Sequence, residues 1–468
     1  MKIMIQGTSS DCGKTTFVTA LCRIFKEDGI NVSPFKAQNI SLNSYVDING
    51  NEFAWSQYIQ AIASKTEPNV YMNPILLKPQ GNGMVQLIVL GKIYKTIHFS
   101  EYENYKKEMK KVIIDSFNYL SNKFDAIIIE GAGSPAEINI KDKDISNMWV
   151  AKNVNSNVLL VSDIDRGGAF ASLYGTYYLM EDEKDYIKGF IINKFRGEKK
   201  LLNSGLLKLE KLTGIPTLGV IPWIDIKYGD EDGASLKNKK IKKSKINIYV
   251  IKIPSISNFT DFAPFNYDEN VNLEYIEDIN KIDEADMIII PGSKNTIRDL
   301  RWMKEKGFFE RIKCFKGIVF GICGGFQIMG KEIIDVYGLE IGEYQKEKGF
   351  GFFNFTTRML DKKITKQFRG KYKGIEIYGY EIHIGESNIN TPVLNIDNKY
   401  IGTYIHGIFN SGEFRKYILN LILKNKNMNI INDIKDYEEF QEKEIIKLSN
   451  IVRENIELKK IYKIAGGN

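Results

Sequence analysis

A short apolar run, Lys2–Ile5, leads into Gly7-Thr8-Ser9-Ser10-Asp11-Cys12-Gly13-Lys14-Thr15-Thr16, and a helical pattern follows from Thr15 to Phe25. Strand, glycine loop and helix in that order constrain the fold more than any other feature of the chain. The loop must sit at the carboxyl end of a buried strand, where backbone N–H groups and a helix start face an anion. Gly7 and Gly13 let the backbone approach phosphate, with Thr8, Asp11 and Thr16 in the same cradle. Lys14 supplies charge, and the Thr15 hydroxyl is placed for Mg²⁺. Five residues separate the two glycines, one more than the common phosphate-loop spacing.

Further compact apolar runs follow at Asn31–Phe35, Ala126–Ile129, Val158–Val161, Phe190–Ile192 and Thr217–Ile221. Each ends in Gly, Asp, Asn or Pro, and helical stretches separate several of them. That alternation predicts an α/β domain with a parallel sheet and its ligand beyond the carboxyl ends of the strands. Glu130 ends one strand and opens Glu130-Gly131-Ala132-Gly133, where its carboxylate can complete a magnesium shell with Thr15. Lys36 lies just past another strand, where it can face a developing phosphoryl or acyl charge.

A second α/β block begins near residue 246, with expected strands Ile246–Ile251, Met287–Ile290 and Ile318–Phe320, and β-like segments at Ile375–Tyr380 and Tyr400–Ile405. The third of these strands runs into Gly321-Ile322-Cys323-Gly324-Gly325. Small neighbours permit a sharp turn that pushes a nucleophile out of the backbone, as the serine elbow of hydrolases does. The following helix start favours a thiolate, and the Gly324 N–H can help hold an oxyanion. Only three histidines exist. His406, downstream in the same block, is the expected base; His383 is a second candidate or a substrate contact, and His98 lies in the other block.

Composition narrows the class. A 468-residue chain with 43% hydrophobic and 26% charged residues reads as two or three soluble domains. No apolar run approaches a membrane span, and no secretion signal precedes the phosphate loop, so a cytoplasmic location is expected. Cys12, Cys22, Cys314 and Cys323 form neither a CxxC pair nor a zinc spacing. The basic run Lys237–Lys245 lacks interleaved aromatics and reads as a solvated linker, with no nucleic-acid partner expected. The tail from about Tyr437 to Ile464 is helical, and Ile445, Leu448, Val452 and Ile456 form an apolar face suited to packing on a domain.

Taken together, these segments resemble the cobyric acid synthase family, the glutamine-hydrolysing amidases of cobalamin biosynthesis. The likeness is nearly full length. It is carried by Gln6–Thr15, Pro34–Asn39 with Ser41–Ser44, Met72–Pro79, Glu130–Glu137, Asp163–Gly168 and Asn193–Gly197. In the second half it continues through Ile256–Phe262, Pro291–Thr296, the Cys323 turn and the His383 and His406 segments.

The resemblance implies a dethiobiotin synthetase-like ATP-dependent amidoligase domain at 1–236, to which the long phosphate loop belongs. A linker at 237–245, a class I-like glutamine amidotransferase domain at 246–414 and a helical tail at 415–468 would follow. It also implies Asn193 as an ATP contact and Gly292 as the second oxyanion donor. Glutamine would be hydrolysed at Cys323 and ammonia passed internally to the ATP site. There the b, d, e and g carboxylates of adenosylcobyrinic acid a,c-diamide would become amides through acyl phosphates. ATP, Mg²⁺ and glutamine are then consumed or used in turnover, and no tightly bound cofactor is expected; the oligomeric state is left open.

Triad amidotransferases carry Glu two residues after the histidine, whereas Ile408 stands here. The family resembled also lacks that Glu, so the sequence presents a Cys–His pair without the usual acidic member, and what orients His406 is open. Two rivals remain. Cobyrinic acid a,c-diamide synthase shares the domain pair, but its Gly-Pro-Asp-Tyr motif is absent. A partitioning-type ATPase with a degenerate amidotransferase module is opposed by the intact Cys323 and His406.

Overall fold

The computed structural model describes residues 1–226, 244–340 and 342–467. Most of the expected basic linker, 237–243, lies outside them.

Apolar strands of the first half assemble into one parallel sheet. Its members are β1 (Lys2–Gly7), β2 (Val32–Phe35), β3 (Ala126–Glu130), β4 (Asn157–Asp163), β5 (Ile187–Phe195) and β6 (Thr217–Pro222). Their order is β6-β5-β4-β1-β3-β2, and every neighbouring pair is parallel. Side-chain alternation splits the core between the two faces. Ile3, Ile5 and Ile128 pack with Phe17, Leu21 and Phe25 of the helix Lys14–Glu27, while Met4, Ile127 and Ile129 pack on the other side with Ile113 and Phe117. Gly7, Glu130, Asp163 and Asn193 therefore all fall at the carboxyl ends of central strands, as the alternating runs predict.

The second half repeats the plan. Its strands are β7 (Ile246–Ile251), β8 (Val271–Ile276), β9 (Met287–Ile290), β10 (Ile318–Ile322), β11 (Val393–Ile396) and β12 (Tyr400–Thr403). They run in the order β8-β7-β9-β10-β12-β11, parallel except for the antiparallel edge pair β11–β12.

Two further β structures go beyond the sequence reading, which gave only Ile375–Tyr380 among them as β-like. A four-stranded sheet joins Gln38–Ile40, Ile75–Gly81, Met84–Val89 and Lys92–His98. A long hairpin, Thr356–Tyr372 with Ile375–Ser387, leans from the second half onto the first. There Thr365 Oγ1 donates to the Gly50 carbonyl at 2.7 Å, Gln367 donates to the Val46 carbonyl, and the Tyr380 hydroxyl donates to the Ser44 carbonyl at 2.8 Å.

The C-terminal helices divide between the two cores. Helix Gly412–Asn425 buries Phe414, Ile418 and Leu419 with the second sheet. Helix Tyr437–Glu454 crosses back and buries Ile445, Leu448 and Val452 against the first, beside Phe17 and Leu21. Ile456 is only partly buried there. Arg23, whose side chain is 1% exposed, meets Glu442 of this helix through both terminal guanidinium nitrogens, at 2.9 and 2.5 Å, fixing the return of the chain.

Candidate active site

At the end of β1 the loop backbone takes left-handed angles at Asp11 (φ 58°) and Gly13 (φ 97°). Glycine is required at residue 13, since a Cβ there would lie 2.0 Å from the Asn193 amide. That amide donates to the Cys12 carbonyl at 3.0 Å, so Asn193 braces the loop from the end of β5 while also lining the cavity. Lys14 curls over the loop and donates to the carbonyls of Ser9 and Gly133, both at 2.9 Å. Asp11, Thr15 and Thr16 line the same cavity of about 1080 Å³, which Trp223 and the returning helix residues Leu448 and Val452 also border. Gly7 and Thr8 stand behind it. Thr8 donates to the Ser162 hydroxyl at 3.0 Å, and a Cβ on Gly7 would strike the Cys12 sulfur.

Glu130 is the focus of this cavity. It is 1% exposed, and three side chains from different segments reach it. The Thr15 hydroxyl and the Lys36 ammonium each donate to Oε1 at 2.8 Å, and the Gln60 amide donates to Oε2 at 2.5 Å. Sequence alone does not single out Gln60, which lies inside an amphipathic helix, Trp55–Ala63. A hydroxyl and a carboxylate within hydrogen-bond distance of one another form an oxygen donor set suited to Mg²⁺, which takes one or two protein oxygens together with phosphate oxygens. No cluster of three or more His, Cys, Asp or Glu side chains suited to a metal occurs among the described residues.

The thiol site is enclosed. Cys323 sits between β10 and the helix Gly324–Met329 with φ 51° and ψ −109°, a conformation strained for a residue with a side chain. Its N–H donates to the Thr403 carbonyl at 2.8 Å, which ties the turn to β12, and its sulfur lies 3.5 Å from the Ile382 carbonyl. Gly324 and Gly292 meet across this turn. A Cβ on Gly324 would come within 2.8 Å of the Ser293 nitrogen, and one on Gly292 within 3.2 Å of the His406 ring.

His406 is 1% exposed, and the acidic partner missing from its own segment is supplied elsewhere. Asp261 Oδ2 lies 2.7 Å from Nδ1, while Oδ1 accepts from the Gly407 N–H at 2.7 Å. The expectation of a Cys–His pair without an acid is thereby corrected. Asp261 belongs to the irregular segment Phe259–Tyr267, 145 residues before the histidine, and supplies the carboxylate on its Nδ1. Burial alone would disfavour the imidazolium, but Asp261 and the facing Cys323 outweigh it and raise His406 to about 10. His406 Nε2 is buried, has no nitrogen or oxygen partner among the described residues, and faces the Cys323 thiol.

The other two histidines are engaged differently. His383 lines the Cys323 pocket, but its Nδ1 lies 2.6 Å from the Gly385 carbonyl, Nε2 lies 3.4 Å from Glu381, and its ring stacks on Tyr404. His98 is exposed beside Ser100 in the first half of the chain.

One short segment joins the two sites. Residues 36–44 begin with Lys36 on Glu130 and end at Ser44. The Ser44 N–H donates to Asn258 Oδ1 at 3.2 Å, and its carbonyl accepts from Tyr380, whose ring stacks on His406 at 5.5 Å.

Comparison with known proteins agrees with this division. Residues 3–234 match the CobQ/CobB/MinD/ParA nucleotide binding domain, and residues 247–414 the CobB/CobQ-like glutamine amidotransferase domain. A cobyric acid synthase from Clostridium tetani is 45% identical over 99% of both chains, and one from Clostridium acetobutylicum is 44% identical over the same shares. A third, from Clostridium kluyveri, is 45% identical over 99% of this chain and 98% of its own. Among solved structures, a glutamine amidotransferase aligns with 37% of this chain and 98% of its own, at 13% identity and a TM-score of 0.29. No helix among the described residues is long and apolar enough to cross a membrane.

Proposed function

The chain belongs to the cobyric acid synthase family, glutamine-dependent amide-forming enzymes of cobalamin biosynthesis, and from that premise we propose how its two sites divide the reaction. At the thiol site, Cys323 attacks the side-chain carbonyl of glutamine. The Gly324 and Gly292 N–H groups take the developing oxyanion. An imidazolium at His406 stabilises the thiolate before attack and gives its proton to the departing ammonia, leaving a thioester. Asp261 holds the ring in the tautomer and orientation that both steps need. Water activated by His406 then releases glutamate.

At the phosphate site, ATP lies on the Gly7–Thr16 loop with Lys14 against its phosphates. Thr15 and Glu130 are the residues that would hold Mg²⁺, which when bound neutralises phosphate charge. A carboxylate of adenosylcobyrinic acid a,c-diamide attacks the terminal phosphorus and ADP leaves, giving an acyl phosphate. Lys36 faces the charge that develops there. Ammonia attacks the acyl carbon, inorganic phosphate departs, and an amide remains. Repetition at the b, d, e and g side chains yields adenosylcobyric acid.

Internal transfer keeps ammonia unprotonated, because in neutral water it is mostly ammonium and no nucleophile. The observation that carries this reading is the segment 36–44, which starts on Glu130 in the ATP cavity and ends on the tyrosine stacked against His406. The test supplies ATP, Mg²⁺, glutamine and the a,c-diamide and follows product mass. Four successive amidations are expected; use of earlier precursors instead, with the a,c-diamide untouched, would overturn the named substrate.

A further inference from the structure

The pocket over Cys323 carries more positive charge than hydrolysis of an amide requires. Lys78, Lys294 and Lys363 line it together, yet they come from three separate places. Lys78 is on the mixed four-stranded sheet of the ATP half, Lys294 follows Gly292 by two residues, and Lys363 is on the long hairpin. Lys78 is 4% exposed and donates to Ser44 Oγ at 2.7 Å and to Glu52 Oε1 at 2.8 Å. Glu52, 1% exposed, also receives Lys363 on its other oxygen, so one carboxylate serves two buried ammonium groups across the domain interface.

Lys294 is left with a neutral partner. It donates to the Gln86 amide oxygen at 2.7 Å, and no carboxylate among the described residues pairs with it. Glu340, the one acidic residue among the described residues that line the pocket, is already taken up by the N–H groups of Thr296 and Ile297, each at 2.9 Å. Burial and the nearby charges of Lys363 and Lys78 hold Lys294 well below the ordinary lysine range. Two ammonium groups share one carboxylate and a third lysine has only a neutral partner, so the pocket offers an arriving anion three donors with little competing negative charge.

We propose that Lys78, Lys294 and Lys363 form the subsite for the α-carboxylate of glutamine, and that the ATP half supplies one of its three cations. This rests on the glutaminase reading of Cys323. As it stands the pocket encloses only about 50 Å³, so glutamine enters as the flexible stems of Lys294 and Lys363 draw back. Lys78, pinned by Glu52 and Ser44, marks the fixed wall. Ser44 also ends the segment that begins at Lys36. Seating of glutamine is thus tied to docking of the two halves.

The test is steady-state kinetics on the full chain with Lys294→Met, Lys363→Met and Lys78→Met. Each change removes one charge-assisted hydrogen bond and should raise the KM for glutamine about 10- to 100-fold while kcat moves little. Hydrolysis of 4-aminobutanamide, which is glutamine without its α-carboxylate, should be unaffected, so the preference for glutamine collapses. Lys294→Met breaks no ion pair and guards against a variant that simply fails to fold. Glutamate release measured without the corrinoid reads this subsite even if the named corrinoid substrate is wrong. An unchanged glutamine KM in all three variants, or equal losses with glutamine and 4-aminobutanamide, would overturn the proposal.

Discussion

The phosphate loop is written in ten consecutive residues, Gly7–Thr16, to which Lys36, Glu130 and Asn193 are added from other segments, whereas the thiol site has no such contiguous core and its histidine and acid lie 145 residues apart. One opens into a cavity of about 1080 Å³; the other holds a pocket of only about 50 Å³, with His406 1% exposed. The difference follows from what each must do. Phosphate is held by backbone N–H groups, which a single loop can aim. A proton relay needs side chains in a fixed line, and here they come from a strand-to-helix turn, an irregular segment and a short strand that meet only when the domain is folded. The thiol site should therefore be the more sensitive of the two to changes made at a distance.

The largest effects should separate the sites outright. Cys323→Ala should abolish glutamine-driven amidation and leave amidation from high ammonium, whereas Lys14→Ala should lose both, as product mass will show. Ammonium-driven activity in Lys14→Ala would break the division. Asp261→Asn should come next, lowering the glutaminase kcat on the order of 10²- to 10⁴-fold with little change in glutamine KM. It should also pull the His406 pKa down from about 10. Because that pKa is raised by folding, the stability it contributes is complete below about pH 6.5 and fades as pH rises through about 10. The variant should lack that alkaline loss in a thermal-unfolding series.

Glu52→Gln should weaken the interface by about 3 kcal/mol or more, since it strands two buried cations, and thermal unfolding should register it. Burial would raise the Glu52 carboxyl, but Lys363 and Lys78 hold it well below the carboxylate range. Its contribution is accordingly present above about pH 4.3 and lost as pH falls further. Glutamine-driven turnover should suffer more than ammonium-driven turnover, which sharpens the contrast between the sites.

The smallest effect concerns Lys363, lowered to about 8 mainly by burial, with Glu52 opposing that shift and Lys78 adding to it. Lys294, Glu340, His383 and Cys323 share its pocket. Glutamine KM should rise as pH passes above about 8, and Lys363→Met should flatten that rise.

Much of this arrangement is legible in the sequence where chemistry and local geometry coincide. The apolar runs mark the central strands to within a few residues, and Cys323 is betrayed by the glycines its backbone turn needs. Asp261 is not legible in that way. It stands in Phe259-Thr260-Asp261-Phe262, which reads as core, and its role depends on a contact across the fold. The hairpin strand Thr356–Tyr372 is masked by Asp361-Lys362-Lys363, which looks like a solvated charge run. In the folded chain Lys363 instead turns into the interface and meets Glu52. Gln60 is hidden for a related reason, since the carboxylate it donates to lies 70 residues away.

On the proposed function, nitrogen freed at Cys323 reaches the Glu130 site without entering solvent. The direct test gives the enzyme glutamine carrying heavy-isotope amide nitrogen, in the presence of excess ordinary ammonium at neutral pH, and reads the isotope in the corrinoid amides. Heavy nitrogen should appear in the product almost undiluted. Amides that carry the isotopic composition of the bulk ammonium pool would contradict the account.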